Sequence, residues 1–348
     1  MKRQMVGLDI GSYSIKVAKL KHAKSDIIAA KLAIEAYSDN LDYENLDAKS
    51  IAEFIKKLFK KNKIKDKTVC VSLHGNDVIV KNISLPAVDI SELKQAVIWE
   101  AEQYIPYNIN DVNIGFQLLP SDDSEKVNVL IAAAKKETVE KRKEIIREAG
   151  LNAEIIDIDS LAIANCFEQN YDDIKGLIYL LDIGKSYTKL NIVDNNITLF
   201  ARDMPIGTTE LINKISKRLN IGVSDAEHLV QNFDINKQET ENYPEIKNMF
   251  DESYETIVAA ATSSIQFFLK NNESEYTTSQ QIPIYISGGG ALISGLQPYF
   301  EEKFTTDVMV MNPFKAILID PSGVSIRSIK GKEAIYSTSI GLALRNIF

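Results

Sequence analysis

Leu8-Asp9-Ile10-Gly11-Ser12-Tyr13-Ser14-Ile15-Lys16, near the start of the chain, returns half a chain later as Leu181-Asp182-Ile183-Gly184-Lys185-Ser186-Tyr187-Thr188-Lys189. Each copy is an apolar run ending in Asp, a glycine turn with hydroxyl residues, and a second apolar-alternating run. The pattern predicts strand, tight turn, strand, with a carboxylate at the mouth of the turn. One such hairpin is ordinary. Two in corresponding places predict two similar halves facing each other across a cleft, an arrangement suited to gripping a polyphosphate. Asp9 and Asp182 are the candidate metal residues, reaching a hydrated magnesium through water, because Mg²⁺ keeps several waters and usually takes only one or two carboxylates. Gly11 and Gly184 let the backbone approach closely. The neighbouring amides, those of Ser12, Tyr13, Lys185 and Ser186, make an anion-binding nest. Lys16 is spaced to reach the phosphates as a compact charge. Lys185 either adds a phosphate contact or faces solvent.

A second signal is Ile286-Ser287-Gly288-Gly289-Gly290, followed by a helical pattern from Ala291 to Phe300. A strand, Gly288, Gly289 and Gly290, and then a helix form a surface without side chains on which an adenosine can lie, with the helix N-terminus near the phosphates. The same residues also suit a plain tight strand-to-helix connection. Asp159 opens a helix linking the two halves. It is either an N-cap or the group that positions an attacking water, and the two roles are compatible.

The chain has 348 residues, 45% hydrophobic and 25% charged, with a formal net charge of −8. At that length it buries roughly 75% of its unfolded surface and exceeds one comfortable core, so two or more domains are expected. The negative balance argues against a nucleic-acid binder working by broad phosphate neutralisation. The lysine cluster Lys56, Lys57, Lys60, Lys61, Lys63, Lys65 and Lys67 reads as the solvated face and end of a helix, with a weak anionic-lipid contact as the alternative. Cys70 and Cys166 lie in apolar stretches and read as reduced core residues of a cytosolic protein. His22, His74 and His228 lack metal-ligand spacing. No run reaches the roughly 18–20 apolar residues of a membrane span, and Asp9 interrupts the first apolar run too early for a secretory signal.

Along the chain, a third strand is expected over Ile27 to Ala36, then a polar segment from Asp39 to Asp47 and a helix from Ala48 to Lys61. Strands follow at Thr68 to Leu73 and Val78 to Leu85. Asp89-Ile90-Ser91-Glu92 opens a helix with Leu93, Val97, Ala101 and Tyr104 on one stripe, stopped near Pro106. Two strands joined by Pro120-Ser121-Asp122-Asp123 come next, and then a helix ending at Gly150. Residues 206–280 read as mainly helical, with polar turns at Gly222 and from Asn271 to Ser279. A last helix is expected from Ala334 to Asn346.

Taken together, Asp9, Gly11, Ser12 and Lys16, then Asp159, Asp182, Gly184 and the glycine triplet, resemble the phosphate, connecting-helix and adenosine motifs of the actin, heat-shock chaperone and hexokinase superfamily. Within it the whole chain most resembles the PilM family of type IV pilus assembly proteins, relatives of the division protein FtsA. The stretch Glu100-Ala101-Glu102-Gln103-Tyr104-Ile105-Pro106-Tyr107, running on through Asp111-Val112 to Phe116-Gln117-Leu118-Leu119, carries that resemblance. Pro205-Ile206-Gly207, Met311-Asn312-Pro313-Phe314 and Ile340-Gly341-Leu342-Ala343-Leu344-Arg345 support it. The resemblance implies an α/β, actin-like (ribonuclease H-like) duplicated fold with an FtsA-type inserted subdomain. The expected divisions are a first large subdomain from 1–79, 150–176 and 327–348, and an inserted α+β subdomain from 80–149. A second large subdomain comes from 177–205 and 281–326, and a small helical one from 206–280.

The resemblance further implies ATP and magnesium in the central cleft, with Gly207, Lys214, Lys217 and Glu227 bordering the adenosine. It implies capture of the N-terminal cytoplasmic peptide of a PilN-like inner-membrane protein, association with other pilus platform proteins, and a cytoplasmic location at the inner face of that membrane. Self-association is compatible with it. Ile105, Pro106 and Tyr107 are the candidate partner residues, in a run that also reads as the core of the inserted subdomain. Asp159 is one methylene shorter than the Glu of chaperone relatives, and misplacement by about 1 Å can cost roughly 10²-fold in rate. Binding with at most slow hydrolysis is therefore expected.

Three alternatives fit less well. An FtsA-like division protein is expected to carry an amphipathic membrane tail, whereas this chain ends at Phe348 directly after its last helix. A small-molecule kinase of the same superfamily needs a substrate pocket with a base facing the γ-phosphate, and no residue offers itself. The cytoplasmic part of a type II secretion protein is expected to precede a membrane span.

Overall fold

The computed structural model describes residues 6–23, 26–37, 43, 46–87, 90–120, 124–238, 242–272, 276 and 281–345. Most of the polar segment after Asp39, the helix opening at Asp89, the turn residues Ser121 to Asp123, most of 273–280 and the end at Asn346 lie outside them. The first half runs β1 (Val6–Ile10), β2 (Ser14–Ala23), β3 (Asp26–Ala36), α1 (Ala48–Lys61), β4 (Thr68–Leu73), β5 (Val78–Pro86), α2 (Ile90–Ala101), β6 (Val112–Leu119), β7 (Lys126–Lys135), α3 (Lys136–Glu148), β8 (Asn152–Ile158) and α4 (Asp159–Asn170). The second runs β9 (Leu177–Ile183), β10 (Thr188–Asp194), β11 (Ile197–Met204), α5 (Thr208–Leu219), α6 (Val223–Asn232), α7 (Tyr243–Asn271), β12 (Ile284–Ser287), α8 (Leu296–Phe304) and β13 (Val308–Val310). β14 (Leu318–Ile319), α9 (Ile326–Ile329) and α10 (Ser337–Leu344) complete the chain.

The repeat seen in the sequence is a repeat of topology. In one sheet β1, β2 and β3 form an antiparallel meander, and β4 and then β8 add in parallel on the β1 side. In the other, β9, β10 and β11 form the same meander, and β12 and β13 add in parallel beside β9. Each parallel strand is reached by a crossover through other elements, as parallel pairing requires. Residues 318–319, expected in the second large subdomain, instead pair with β3 on the edge of the first sheet.

The block between β4 and β8 does not extend its own half's sheet. β5, β7 and β6 form an antiparallel ladder that joins the outer edge of β11 through Phe200 and Lys81. α2 covers one face with Leu93, Val97 and Ala101, while Tyr104 escapes the expected stripe and stands exposed. α1 begins at the N-cap Asp47, whose carboxylate accepts the Ser50 amide, and ends in Lys60 and Lys61, which suit the helix C-terminus. Lys57 and Lys61 pair with Glu35, and Lys56 pairs with Glu53, so this part of the lysine cluster is a solvated, ion-paired face. α3 ends as expected, with Gly150 at φ +72° and the Leu151 amide donating back to Ile146, the left-handed cap that favours glycine.

Two buried helices, α4 and α10, lie between the sheets. Gly341 of α10 passes so close to Ala162 that a Cβ would sit 1.7 Å from its carbonyl oxygen, and Gly7 of β1 meets Ser339 in the same way at 2.0 Å. One apolar cluster runs from Leu20 of β2 through Ile163 and Phe167 of α4 and Ile340 of α10 to Leu180 and Tyr285 of the second sheet. The halves thus share a core. Cys70 and Cys166 are buried free thiols within the apolar interior. Among the described residues no helix is long and apolar enough to cross a membrane.

Three expected boundaries are corrected. The pattern from Ala291 to Phe300 is a short 3₁₀ turn, Gly290–Leu292, followed by α8 only from Leu296, because Gly295 at φ +84° breaks the run. The last helix is a 3₁₀ turn, Glu333–Tyr336, leading into α10. The N-cap of α4 is Ile158, and Asp159 is its first helical residue.

Candidate functional site

The two Asp-Ile-Gly turns meet at the floor of a cleft of about 530 Å³. Each turn closes with the same bond: the Gly11 amide donates to Ser14 O (3.2 Å) and the Gly184 amide to Tyr187 O (2.9 Å). The hairpins touch where the Ser186 amide donates to Ser12 Oγ at 3.2 Å. Register then fixes the charges. Asp9 lies directly across from Lys16, and Asp182 directly across from Lys189. Lys16 Nζ donates to Asp9 Oδ2 at 2.9 Å, and Lys189 Nζ to Asp182 Oδ2 at 3.1 Å. Each half therefore presents one carboxylate and one ammonium to the cleft.

Lys189 is the site residue that the sequence reading passed over. It carries more contacts than its counterpart, with Asp159 Oδ2 at 3.0 Å and Asp203 opposite it on β11. Burial opposes its charge, but the surrounding carboxylates of Asp159, Asp182, Asp203 and Asp9 hold its pKa well above the usual lysine range. Its signal was present: both copies of the repeat end in Lys at the seventh place after Asp. His74, also unassigned, lines the cleft with Nδ1 3.4 Å from Asp159 Oδ2.

Asp159 is not a cleft-lining residue. Its side chain is nearly inaccessible, behind Lys189 and His74. Burial alone would raise its pKa, but Lys189 and His74 outweigh burial and hold it well below the usual carboxylate range. It is a carboxylate committed to the Lys189 ammonium, with the His74 ring beside it. Asp203 takes the opposite shift, upward through burial, although Lys189 and the Gly75 amide at 2.5 Å favour its charge.

Gly11, Ser12, Tyr13, Gly184, Lys185 and all three of Gly288, Gly289 and Gly290 line the cleft. The three glycines do different work. A Cβ on Gly288 or Gly290 would lie within 2.5 Å of Ile183, whereas Gly289 has open space where its side chain would be. Gly289 alone therefore offers a bare face to the cleft, and its neighbours allow β12 to pack on β9. Lys185 lines the cleft and pairs with Glu227 of α6 at 2.9 Å. Gln231, one turn along α6, donates to Tyr13 OH at 3.0 Å, so α6 spans the cleft mouth.

Of the remaining expected residues, Gly207 sits beneath the second loop, where a Cβ would lie 2.3 Å from Lys185 O. The amides of Thr208 and Thr209 donate to Gly184 O and Lys185 O, so the first turn of α5 holds this loop by its carbonyls. Lys214 and Lys217 do not line the cleft. Lys214 is drawn away by Glu210 at 3.0 Å and Glu252 at 3.3 Å. Ile105 is core, packed with Val97 and Val129, whereas Pro106 is exposed and Tyr107 donates to Asn76 O at 3.0 Å.

The site has the features of a phosphate cradle: paired ammonium groups, amide-rich turns and a glycine face. A divalent ion fits it only through water. Among the described residues no three metal-ligating side chains converge, and Asp182 already accepts from Ser287 Oγ (2.9 Å) as well as from Lys189.

A family model described as type IV pilus assembly protein PilM matches residues 7–347. A solved PilM-PilN type IV pilus biogenesis complex is similar to the chain with a TM-score of 0.84 at 23% identity, covering 100% of both chains. The ethanolamine utilization protein EutJ from Carboxydothermus hydrogenoformans gives a TM-score of 0.57 at 15% identity, over 98% of this chain and 89% of that one. MreB 5 of Spiroplasma citri bound to AMPPNP gives 0.52 at 14% identity, over 98% and 95%. These likenesses show the fold, which is actin-like.

Proposed function

The chain belongs to the type IV pilus assembly protein PilM family, and from that premise we propose that it is an ATP-binding cytoplasmic scaffold of the pilus inner-membrane platform. The observation that carries the nucleotide reading is the matched pair of hairpins, Asp9–Lys16 and Asp182–Lys189, facing one cleft of about 530 Å³. That volume lies within the roughly 300–1,000 Å³ typical of small-molecule pockets. Lys16, Lys189 and the turn amides hold the phosphates, and the adenosine lies along Gly289 towards Glu227. Where magnesium accompanies the nucleotide, Asp9 and Asp182 would hold it through its waters, and it would add charge neutralisation. Hydrolysis is slow at most, because Asp159 is held by Lys189 and His74 away from the cleft. ATP then acts as a conformational ligand, favouring the closed state it binds better.

The partner is the N-terminal cytoplasmic peptide of a PilN-like inner-membrane protein, and that contact keeps the scaffold at the inner face of the membrane. The similar solved complex supports the pairing. The inserted subdomain supplies a surface: β6 is a sheet edge on which Phe116 and Leu118 are exposed, and Trp99 and Tyr104 are exposed elsewhere on the same block. An extended peptide can add to such an edge by backbone hydrogen bonds while side-chain pockets select it. Pro106 and Tyr107 border this block, and Ile105 supports it from the core.

Calorimetric titration of ATP into the wild type and Lys16→Ala tests the nucleotide reading. Hydrogen bonds to charged groups contribute about 1.5–3 kcal/mol, so the variant is expected to lose about ten- to hundredfold in ATP affinity. Absence of ATP binding by the wild type, or turnover of several per second with a defined phosphoryl acceptor, would overturn it.

A further inference from the structure

Lys189 stands at the floor of the cleft between carboxylates of different elements. Two carboxylates reach its ammonium from two elements, Asp182 on β9 and Asp159 at the start of α4, and Asp203 on β11 adds a third negative charge nearby without an ion pair. Asp182 and Asp203 flank it in register on the two neighbouring strands, and Asp159 Oδ2 is 3.0 Å from Nζ. The side chain is 12% exposed and lines the cleft floor. On the other hairpin, Lys16 has Asp9 on one neighbouring strand but Ile34 on the other. The asymmetry sets Lys189 apart as the centre of an anionic cage.

We propose that Lys189 is a tethered cation that fills the divalent-ion role at the phosphate site, so that nucleotide binding by this chain depends little on magnesium. The inference rests on the nucleotide reading above. An ammonium carries three N–H donors. The hydrogen bond to Asp182 uses one of them and the ion pair with Asp159 at 3.0 Å holds the ammonium in place, which leaves a donor for a phosphate oxygen at the cleft floor. The same ammonium neutralises the carboxylates that would otherwise repel a polyphosphate. A bound ion elsewhere in such a cage is often the largest local charge in its site. Here that charge is part of the chain. The two Asp182 oxygens are occupied by Lys189 and Ser287, so on this hairpin an incoming hydrated ion finds little unused carboxylate to hold.

The experiment is equilibrium binding of ATP to the full chain with magnesium or with EDTA, using adenosine as a control lacking phosphates. For the wild type, ATP affinity is expected to fall by less than about tenfold in EDTA, equivalent to about 1.4 kcal/mol. A larger loss, with binding intact in magnesium, overturns the inference and leaves the nucleotide reading standing. No ATP binding in either condition removes that reading itself. Lys189→Gln adds a second arm. It is expected to weaken ATP binding in EDTA by about tenfold or more, to recover with magnesium, and to leave adenosine binding unchanged. Equal losses of ATP and adenosine would instead mark Lys189 as purely structural and overturn the proposal. If that variant does not fold, the wild-type comparison decides alone.

Discussion

At the scale of single residues, the repeat names most of the cleft but not its centre. Asp9, Gly11, Asp182 and Gly184 were legible because a strand ending in Asp before a glycine turn has few other uses when it occurs twice. Lys189 was equally visible as a letter, but its weight comes from Asp159 and Asp203, which are 30 residues before it and 14 after it. Only folding brings them to one ammonium. The same holds for Asp320, whose pKa is lowered to about 2 by a hydrogen bond from Lys21 at 2.6 Å, with further help from Ser322. A carboxylate depressed in the folded state contributes stability above its unfolded pKa of about 3.9. That contribution is lost as pH falls through about 2. Urea denaturation between pH 4 and pH 2 should therefore show Asp320→Asn losing less stability than the wild type over this window. Equal pH slopes for the two would refute the assignment.

At the scale of elements, boundaries follow local signals where these are strong. Gly150 stops α3, Asp47 caps α1, and Gly295 divides the expected 291–300 helix into a 3₁₀ turn and α8. Of the two roles expected for Asp159, the N-cap falls to Ile158; the Asp159 carboxylate lies against Lys189 and His74 instead. Glycine at two other positions serves packing between elements. Gly341→Ala would place a methyl 1.7 Å from Ala162 O in the contact between α10 and α4. Both are buried central helices, so backbone has to move, and such overpacking costs about 1–3 kcal/mol or more. Chemical denaturation should show a lowered midpoint of that order, and an unchanged midpoint would mean that the two helices separate without strain.

At the scale of the whole molecule, the inserted block couples the two halves. β5 and β7 arise from the first half of the chain, yet their ladder continues the second sheet from β11. The edge strand β6, proposed above for the peptide, thus belongs to the same sheet as the β9–β10 hairpin at the cleft floor. Leu118, 51% exposed on that edge strand, is the residue to change. Leu118→Asp should reduce capture of the N-terminal tail of a PilN-like protein by about tenfold or more while leaving ATP affinity unchanged, as measured by peptide titration. Undiminished capture would move the docking surface elsewhere. The duplication, the paired glycine turns and the family were set by sequence alone, since turns and strand alternation are local and glycine and aspartate have few substitutes there. The attachment of the inserted sheet, the retreat of Asp159 from the cleft, the pairing of Lys185 with Glu227 and the cage around Lys189 were decided only in three dimensions. Each depends on which distant charge or strand edge arrives beside it, and burial then makes that pairing obligatory.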